Sequence, residues 1–142
     1  MKIAILNGPN LNMSGSREQD IYGNKSLEDI TNEIKATFDS HEFIFHQTND
    51  EAKLISLLHD LNTTVDGVVL NPGGLTHRSV AVADAVKAVN FPVVEVHMSH
   101  ILAREDYRKR SLVSGVCRGT ISGFGLNSYT LGVESLLLLA ER

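Results

Sequence analysis

The chain holds a single cysteine, Cys117, so no disulfide framework can form within it. Sparse cysteine fits a reducing compartment, and the cytoplasm is the expected location. Cys117 sits in an apolar, strand-like run and reads as inert packing, the habit of a buried free cysteine. Basic runs are absent too: 13 basic against 17 acidic residues leave a formal charge of −4. That balance argues against nucleic acid as a partner. The one basic cluster, Arg104, Arg108, Lys109 and Arg110, is either a solvated helix face or the seat of a small anion. No apolar stretch is long enough to cross a membrane. The chain opens on a strand, and no secretory signal is expected. Tryptophan is missing, which excludes little. Internal repeats, linkers and low-complexity segments are also missing. At 142 residues the expectation is one domain over 1–142, large enough for a real core.

Several binding motifs are lacking. The loop after the first strand has Gly8 but neither G-x-G-x-x-G nor a Gly-Lys-Ser/Thr phosphate loop, which argues against NAD and ATP. Asn7 and Asn10 stand where a phosphate-accepting receiver module would carry an acidic cluster. No H-E-x-x-H or related spacing marks a metal site. Two histidines and a glutamate, His77, His97 and Glu95, could still hold zinc if the fold gathers them. Histidine more often works as an acid or base.

What is present is a set of strands whose ends turn polar. Lys2–Leu6 runs into Asn7-Gly8-Pro9-Asn10-Leu11-Asn12. Gly67–Leu70 runs into Asn71-Pro72-Gly73-Gly74-Leu75-Thr76-His77. Pro92–Val96 runs into His97-Met98-Ser99-His100. Continuous apolar runs of this length suit strands covered on both faces. Phe43–Phe45 marks another strand, and a fifth falls within 113–122. Helices alternate with them. Ser26 caps one, with Asp29 three positions on as a capping-box variant and Leu27, Ile30, Ile34 and Phe38 as its apolar stripe. Asn49 caps the next, whose buried face is Leu54, Leu57, Leu58 and Leu61. Another carries Val82, Val86 and Val89. A short charged helix is expected over about 101–110, and a last one from about Ser128 to Leu139. Its Leu136–Leu139 run serves the core or a subunit interface. Residues 8–24 are rich in Gly, Asn and Ser, and a loop that long in a compact domain is usually functional. A lid over about 13–24 is the expectation.

Strands alternating with helices give a parallel sheet with helices on both faces. Right-handed crossovers reduce the choices to few. The natural one is an α/β, flavodoxin-like sandwich with strand order 2-1-3-4-5. Strands one, three and four are then neighbours, and the order reverses between one and three. Ligands bind past the carboxyl ends of strands at such a reversal. Asparagine and histidine from three strands would meet there, which makes an enzyme the first hypothesis. His77 and His97 are the acid–base candidates, since a free imidazole titrates near pH ~6.5. Tyr22, in the long loop with Arg17 five residues earlier, reads singly as an aromatic packed down a loop.

The ordered segments N-G-P-N-L-N at 7–12, G-S-R-E at 15–18, I-Y-G at 21–23, N-P-G-G-L-T-H at 71–77, V-E-V-H-M-S at 94–99, A-R-E-D-Y-R at 103–108 and G-F-G at 123–125 resemble type II 3-dehydroquinate dehydratases. The resemblance spans essentially the whole chain. It implies a flavodoxin-like fold, no metal or organic cofactor, and loss of water from 3-dehydroquinate to give 3-dehydroshikimate. That reaction serves aromatic amino acid biosynthesis in the shikimate pathway, or quinate breakdown. It implies a homododecamer of four trimers. By position, Tyr22 becomes the catalytic base with Arg17 lowering its pKa, Asn10 the residue serving the enolate, His97 the general acid and Glu95 its partner. Met98 and Ser99 correspond to the carboxylate seat, at an expected helix start. Asn71, His77 and Arg108 correspond to groups on the ring hydroxyls, and Asp84 to an acid that reaches a neighbouring subunit's site. Arg104 corresponds to a frequent arginine, or is a helix-surface ion pair. Gln19, Arg78, His100 and Arg110 differ from residues common in the family and flank the catalytic positions. A non-catalytic flavodoxin-like binding module is the alternative. A divergent member acting on another hydroxy-ketone ring is a third reading.

Overall fold

Why the apolar runs become strands is visible in how they are covered. In a computed structural model, which describes residues 1–13 and 25–142, β1 (Lys2–Asn7), β3 (Gly67–Asn71) and β4 (Val93–His97) are buried along almost their whole length. Edge strands β2 (Glu42–Gln47) and β5 (Gly119–Ser122) are more open. All pairings are parallel and the order is β2-β1-β3-β4-β5, as the crossover argument requires.

Side chains alternate between the two faces of a strand, so each face collects its own core. Ala4, Leu6, Val68 and Leu70 meet helices α2 (Glu51–Asp60) and α3 (Val80–Ala88) through Leu54, Leu58, Val82 and Val86. Ile3, Ile5, Val69 and Val96 meet α1 (Leu27–Thr37) and α4 (Asn127–Ala140) through Ile30, Ile34, Tyr129 and Val133. Each such aliphatic side chain contributes about 1.5–3 kcal/mol on burial, and together they anchor the strand ends that carry the site.

Helix α1 begins as expected. Ser26 Oγ accepts from Asp29 N while the Asp29 carboxylate accepts from Ser26 N. Two local expectations need correction. Asp50, not Asn49, caps α2, accepting from Ala52 N and Lys53 N. Asn49 Oδ1 is occupied by Asn10 N at 2.9 Å and Gln47 Nε2 at 3.0 Å. The charged segment 101–110 is not one helix but two single 3₁₀ turns, Ile101–Ala103 and Asp106–Arg108. Only Ile101 is buried in these turns, so there is no apolar stripe to sustain an α-helix. The fifth strand occupies only the end of its window. Ser111 Oγ accepts from Val113 N and Ser114 N, and this local bonding competes with strand pairing. Residues Ser114–Val116 form a 3₁₀ turn instead, with half-buried Cys117 between it and β5. Among the described residues no helix is long and apolar enough to cross a membrane.

Candidate active site

The carboxyl ends of β1, β3 and β4 open into one cleft at the reversal of strand order. Pro9, Asn10 and Leu11 line it from β1, and Asn71, Gly73, Gly74 and His77 from β3. His97, Met98, Ser99, Ile101, Arg104 and Arg108 line it from β4 and the turns beyond. A larger hollow of about 750 Å³ lies elsewhere, lined by Val86, Phe91, Leu136 and Arg118. Among the described residues it gathers no histidine, cysteine or hydroxyl side chain, so the smaller cleft is the candidate site.

The floor of the cleft is interlocked. Gly8 N donates to Asn71 O at 2.8 Å. A Cβ on Gly8 would stand 2.6 Å from Pro72 O, and one on Gly73 would stand 2.9 Å from Pro9 O. Gly73 also has φ +59, a conformation that glycine adopts without strain. Only hydrogen atoms fit where these two loops cross.

Beneath the cleft lies an acid–base pair. His97 Nε2 is 2.6 Å from Glu95 Oε1, and Glu95 has 0% exposure. A buried carboxylate needs compensation, and it is heavily bonded here. Thr76 Oγ1 donates to Oε1 and Ser114 Oγ donates to Oε2. Ser111 Oγ stands 3.3 and 3.4 Å from the two oxygens. Burial pushes the Glu95 pKa up, but the hydrogen bond and charge of His97, with the Ser114 and Thr76 hydroxyls, outweigh it and hold the group below its ordinary value. An ionised Glu95 accepts, so His97 Nε2 carries a proton and Nδ1 is left for the cleft.

His77 stacks beside His97, ring centroids 6.4 Å apart. Its Nδ1 is 2.8 Å from Arg110 O; facing a carbonyl, that nitrogen is the donor. Burial pulls its pKa down, the Arg110 carbonyl works the other way, and the charges of His97 and Arg108 reinforce the lowering. His77 is therefore neutral at pH 7 and offers Nε2 as an acceptor.

Asn71 is held by a buried network. Its Nδ2 donates to Tyr129 OH at 2.8 Å, Tyr129 OH donates to Asn7 Oδ1, and Asn71 Oδ1 accepts from Gly73 N. Burial pushes the Tyr129 pKa upward, so this phenol stays protonated. Asn10 adopts φ 70 and is exposed at the rim. Ser99 Oγ accepts from Arg104 Nη1 at 3.4 Å. Arg104 and Arg108 both pair with Glu105, at 3.6 and 3.1 Å. The Arg108 Nε contact has ion-pair distance without hydrogen-bond geometry.

Seven of the residues expected at the site line this cleft: Asn10, Asn71, His77, His97, Met98, Ser99 and Arg108. Glu95 stands behind His97. Asp84 is exposed on α3 and is not part of this cleft's lining. Arg17 and Tyr22, with nearly all of the expected lid, lie outside the described residues. The expected helix start behind Met98 and Ser99 is a single 3₁₀ turn, so that seat has no long helix dipole. The sequence reading missed Tyr129, Thr76, Ser111 and Ser114. A buried tyrosine needs a polar partner and a glutamate inside an apolar strand needs several, but nothing in the spacing says which hydroxyls supply them.

A parallel α/β sandwich with a buried histidine–carboxylate pair under a polar cleft defines an acid–base enzyme. The sequence matches the family described as Dehydroquinase class II over residues 1–137. The chain belongs to that family. It is 50% identical to the 3-dehydroquinate dehydratase of Pelodictyon phaeoclathratiforme, over 96% of this chain and 92% of that one. It is 47% identical to the 3-dehydroquinate dehydratase of Carboxydothermus hydrogenoformans, over 100% and 94%. The crystal structure of a type II dehydroquinase from Butyrivibrio crossotus superposes with a TM-score of 0.94 at 39% identity, covering 96% and 97%.

Proposed function

We propose that this chain is a type II 3-dehydroquinate dehydratase, eliminating water from 3-dehydroquinate in anti fashion through an enolate to give 3-dehydroshikimate. The observation that supports this best is the His97–Glu95 pair, buried at the end of β4 and facing a cleft of asparagine, histidine and arginine.

Tyr22 takes the proton from the carbon next to the ketone. A free phenol near pKa ~10 is about one part in a thousand ionised at pH 7, so about 3 pKa units, roughly 4 kcal/mol, must be supplied. Arg17 supplies it, because a nearby guanidinium favours phenolate. The electron pair of the broken C–H bond passes to the ketone oxygen. Asn10 serves that enolate, directly or through an ordered water, since developing charge needs preorganised donors. The enolate then collapses. The C–O bond to the hydroxyl on the next carbon breaks, the C=C bond forms, and His97 gives its Nδ1 proton so that water leaves rather than hydroxide. Glu95 offsets the imidazolium charge before this step and fixes the ring throughout. Met98, Ser99 and Arg108 hold the substrate's carboxylate and hydroxyls, with Asn71 and His77.

The scheme is complete with amino-acid side chains and uses no cofactor. The lid over about 13–24 and the rest of the chain act as one catalytic domain. Asp84, exposed on α3 and outside the lining of its own cleft, serves a neighbouring subunit in a homododecamer built from trimers, and the enzyme works in the cytoplasm. Purified protein mixed with 3-dehydroquinate tests the reading. Growth of the conjugated enone's ultraviolet absorbance is expected, unchanged by chelator and by borohydride pretreatment with substrate. A folded protein that gives no absorbance change would be a binding module, and the reading would be wrong.

A further inference from the structure

We propose that Thr76, Ser111 and Ser114 form a hydroxyl cage that positions His97 by fixing the Glu95 carboxylate, a role that rests on the reaction assigned above. None of the three lines the cleft, so each acts on the reaction only through Glu95. Their elements are unrelated in sequence: Thr76 lies in the turn after β3, and Ser111 and Ser114 lie before β5. Backbone bonds clamp the two segments together, with Leu112 N donating to Thr76 O at 2.7 Å and His77 Nδ1 bonded to Arg110 O.

The two oxygens of Glu95 are served unequally. Among the described residues, Oε1 is shared by His97 Nε2 and Thr76 Oγ1, while Oε2 has Ser114 Oγ as its one close partner, with Ser111 Oγ at 3.4 Å. Ser111 is the hinge of the cage. Its Oγ lies 2.7 Å from Thr76 Oγ1, more than 3 Å from both carboxylate oxygens, and accepts from Val113 N and Ser114 N. Having one proton, it can support Thr76 or Glu95 but not both. Ser114 thus carries the largest share. Removing it leaves a buried carboxylate oxygen without a close donor, and free to rotate away from the geometry that His97 needs.

Ser111 and Ser114 also line a groove of about 680 Å³ beside β5, with Leu102, Thr120 and Phe124. They are the wall between that groove and Glu95, which explains a carboxylate with 0% exposure close to an open surface. Among the described residues, the titratable groups acting with Glu95 are His97 on its own strand, His77 from the turn after β3 and Cys117 before β5. Arg108 acts on His77.

The test compares kcat, KM and the pH profile of Ser114→Ala, Thr76→Val and Ser114→Thr with wild type. Loss of a hydrogen bond to a charged group should lower kcat about 10- to 100-fold in Ser114→Ala, with KM within about threefold. The high-pH limb, where His97 must still hold its proton, should move to lower pH, because a carboxylate that has rotated away no longer offsets the imidazolium charge, while the low-pH limb set by Tyr22 stays in place. Thr76→Val, nearly isosteric, should lose less, and Ser114→Thr should restore most activity. If Ser114→Ala does not fold, Thr76→Val decides. The ring ¹⁵N resonances of His97 read the same arrangement without substrate, and should shift in Ser114→Ala. Unmoved resonances with unmoved kinetics, as when water from the groove replaces the hydroxyl, overturn the cage. An inactive wild type whose His97 resonances still respond to Ser114→Ala overturns the assigned reaction and leaves the cage standing.

Discussion

Replacing Tyr129 by Phe should damage both stability and substrate binding, although Tyr129 is not among the residues lining the cleft. The phenol is fully buried, and its oxygen joins Asn7 to Asn71. These asparagines are 4% and 2% exposed, and deleting one hydroxyl leaves too little room for a water to take its place. Asn7 Oδ1 and Asn71 Nδ2 both lose a partner. An orphaned buried polar group costs about 1–3 kcal/mol; the phenol's own desolvation is recovered, so a net loss of about 1.5–3 kcal/mol is expected. For a chain of this size that corresponds to a drop in Tm of about 3–12 °C. Urea denaturation and thermal melts, followed by far-ultraviolet circular dichroism at one fixed protein concentration, measure it. Asn71, which lines the cleft, would also lose a bond that orients its amide, so KM should rise several-fold while kcat changes less. A Phe variant with wild-type urea midpoint and wild-type KM would show that the network neither stabilises the fold nor orients Asn71.

Arg17→Ala should collapse turnover and move the base limb assigned to Tyr22 upward by about 1–3 pH units; a pH–rate profile with an unmoved limb would remove Arg17 from the mechanism. Glu95 is held below its ordinary pKa of 4.5, so its contribution to stability is present above that value and disappears as pH falls through the folded one. The wild-type urea midpoint should therefore fall more steeply below pH ~4.5 than that of Glu95→Gln, and parallel slopes would contradict the assignment. Cys117 is pushed up to about 12 by burial and by the Glu95 charge, so the native protein should resist maleimide at pH 8 and Cys117→Ala should keep near-normal activity.

The sheet was legible because its signals were redundant. Apolar runs at 2–6, 67–70 and 92–96 allow only buried strands, and right-handed crossovers then leave one convenient order. The capping box at Ser26 and Asp29 was legible for the same reason, two residues carrying one message. Asn49 and Asp50 were not separable, since both are good caps and the choice depends on Asn10, 39 residues away, claiming Asn49. Charge density suggested a helix over 101–110, yet charge without a buried stripe is weak support. At the site, spacing puts Glu95 and His97 on one strand face, while their roles as acid and partner are what the family resemblance implies. Tyr129, Thr76, Ser111 and Ser114 reach the same centre across the tertiary fold, and their partners are set by packing that no local pattern records.

The crossing at Gly8 and Gly73 has a consequence for how this scaffold can change. With backbone touching backbone there, the two loops form a single rigid sill, and no added side chain can pry them apart. Asn10 and Asn71 flank that crossing and take their backbone positions from it. Any retuning toward a ring of different size or charge must come from the opposite bank, where Ser99, Arg104 and Arg108 sit on or beside short turns in which only Ile101 is buried.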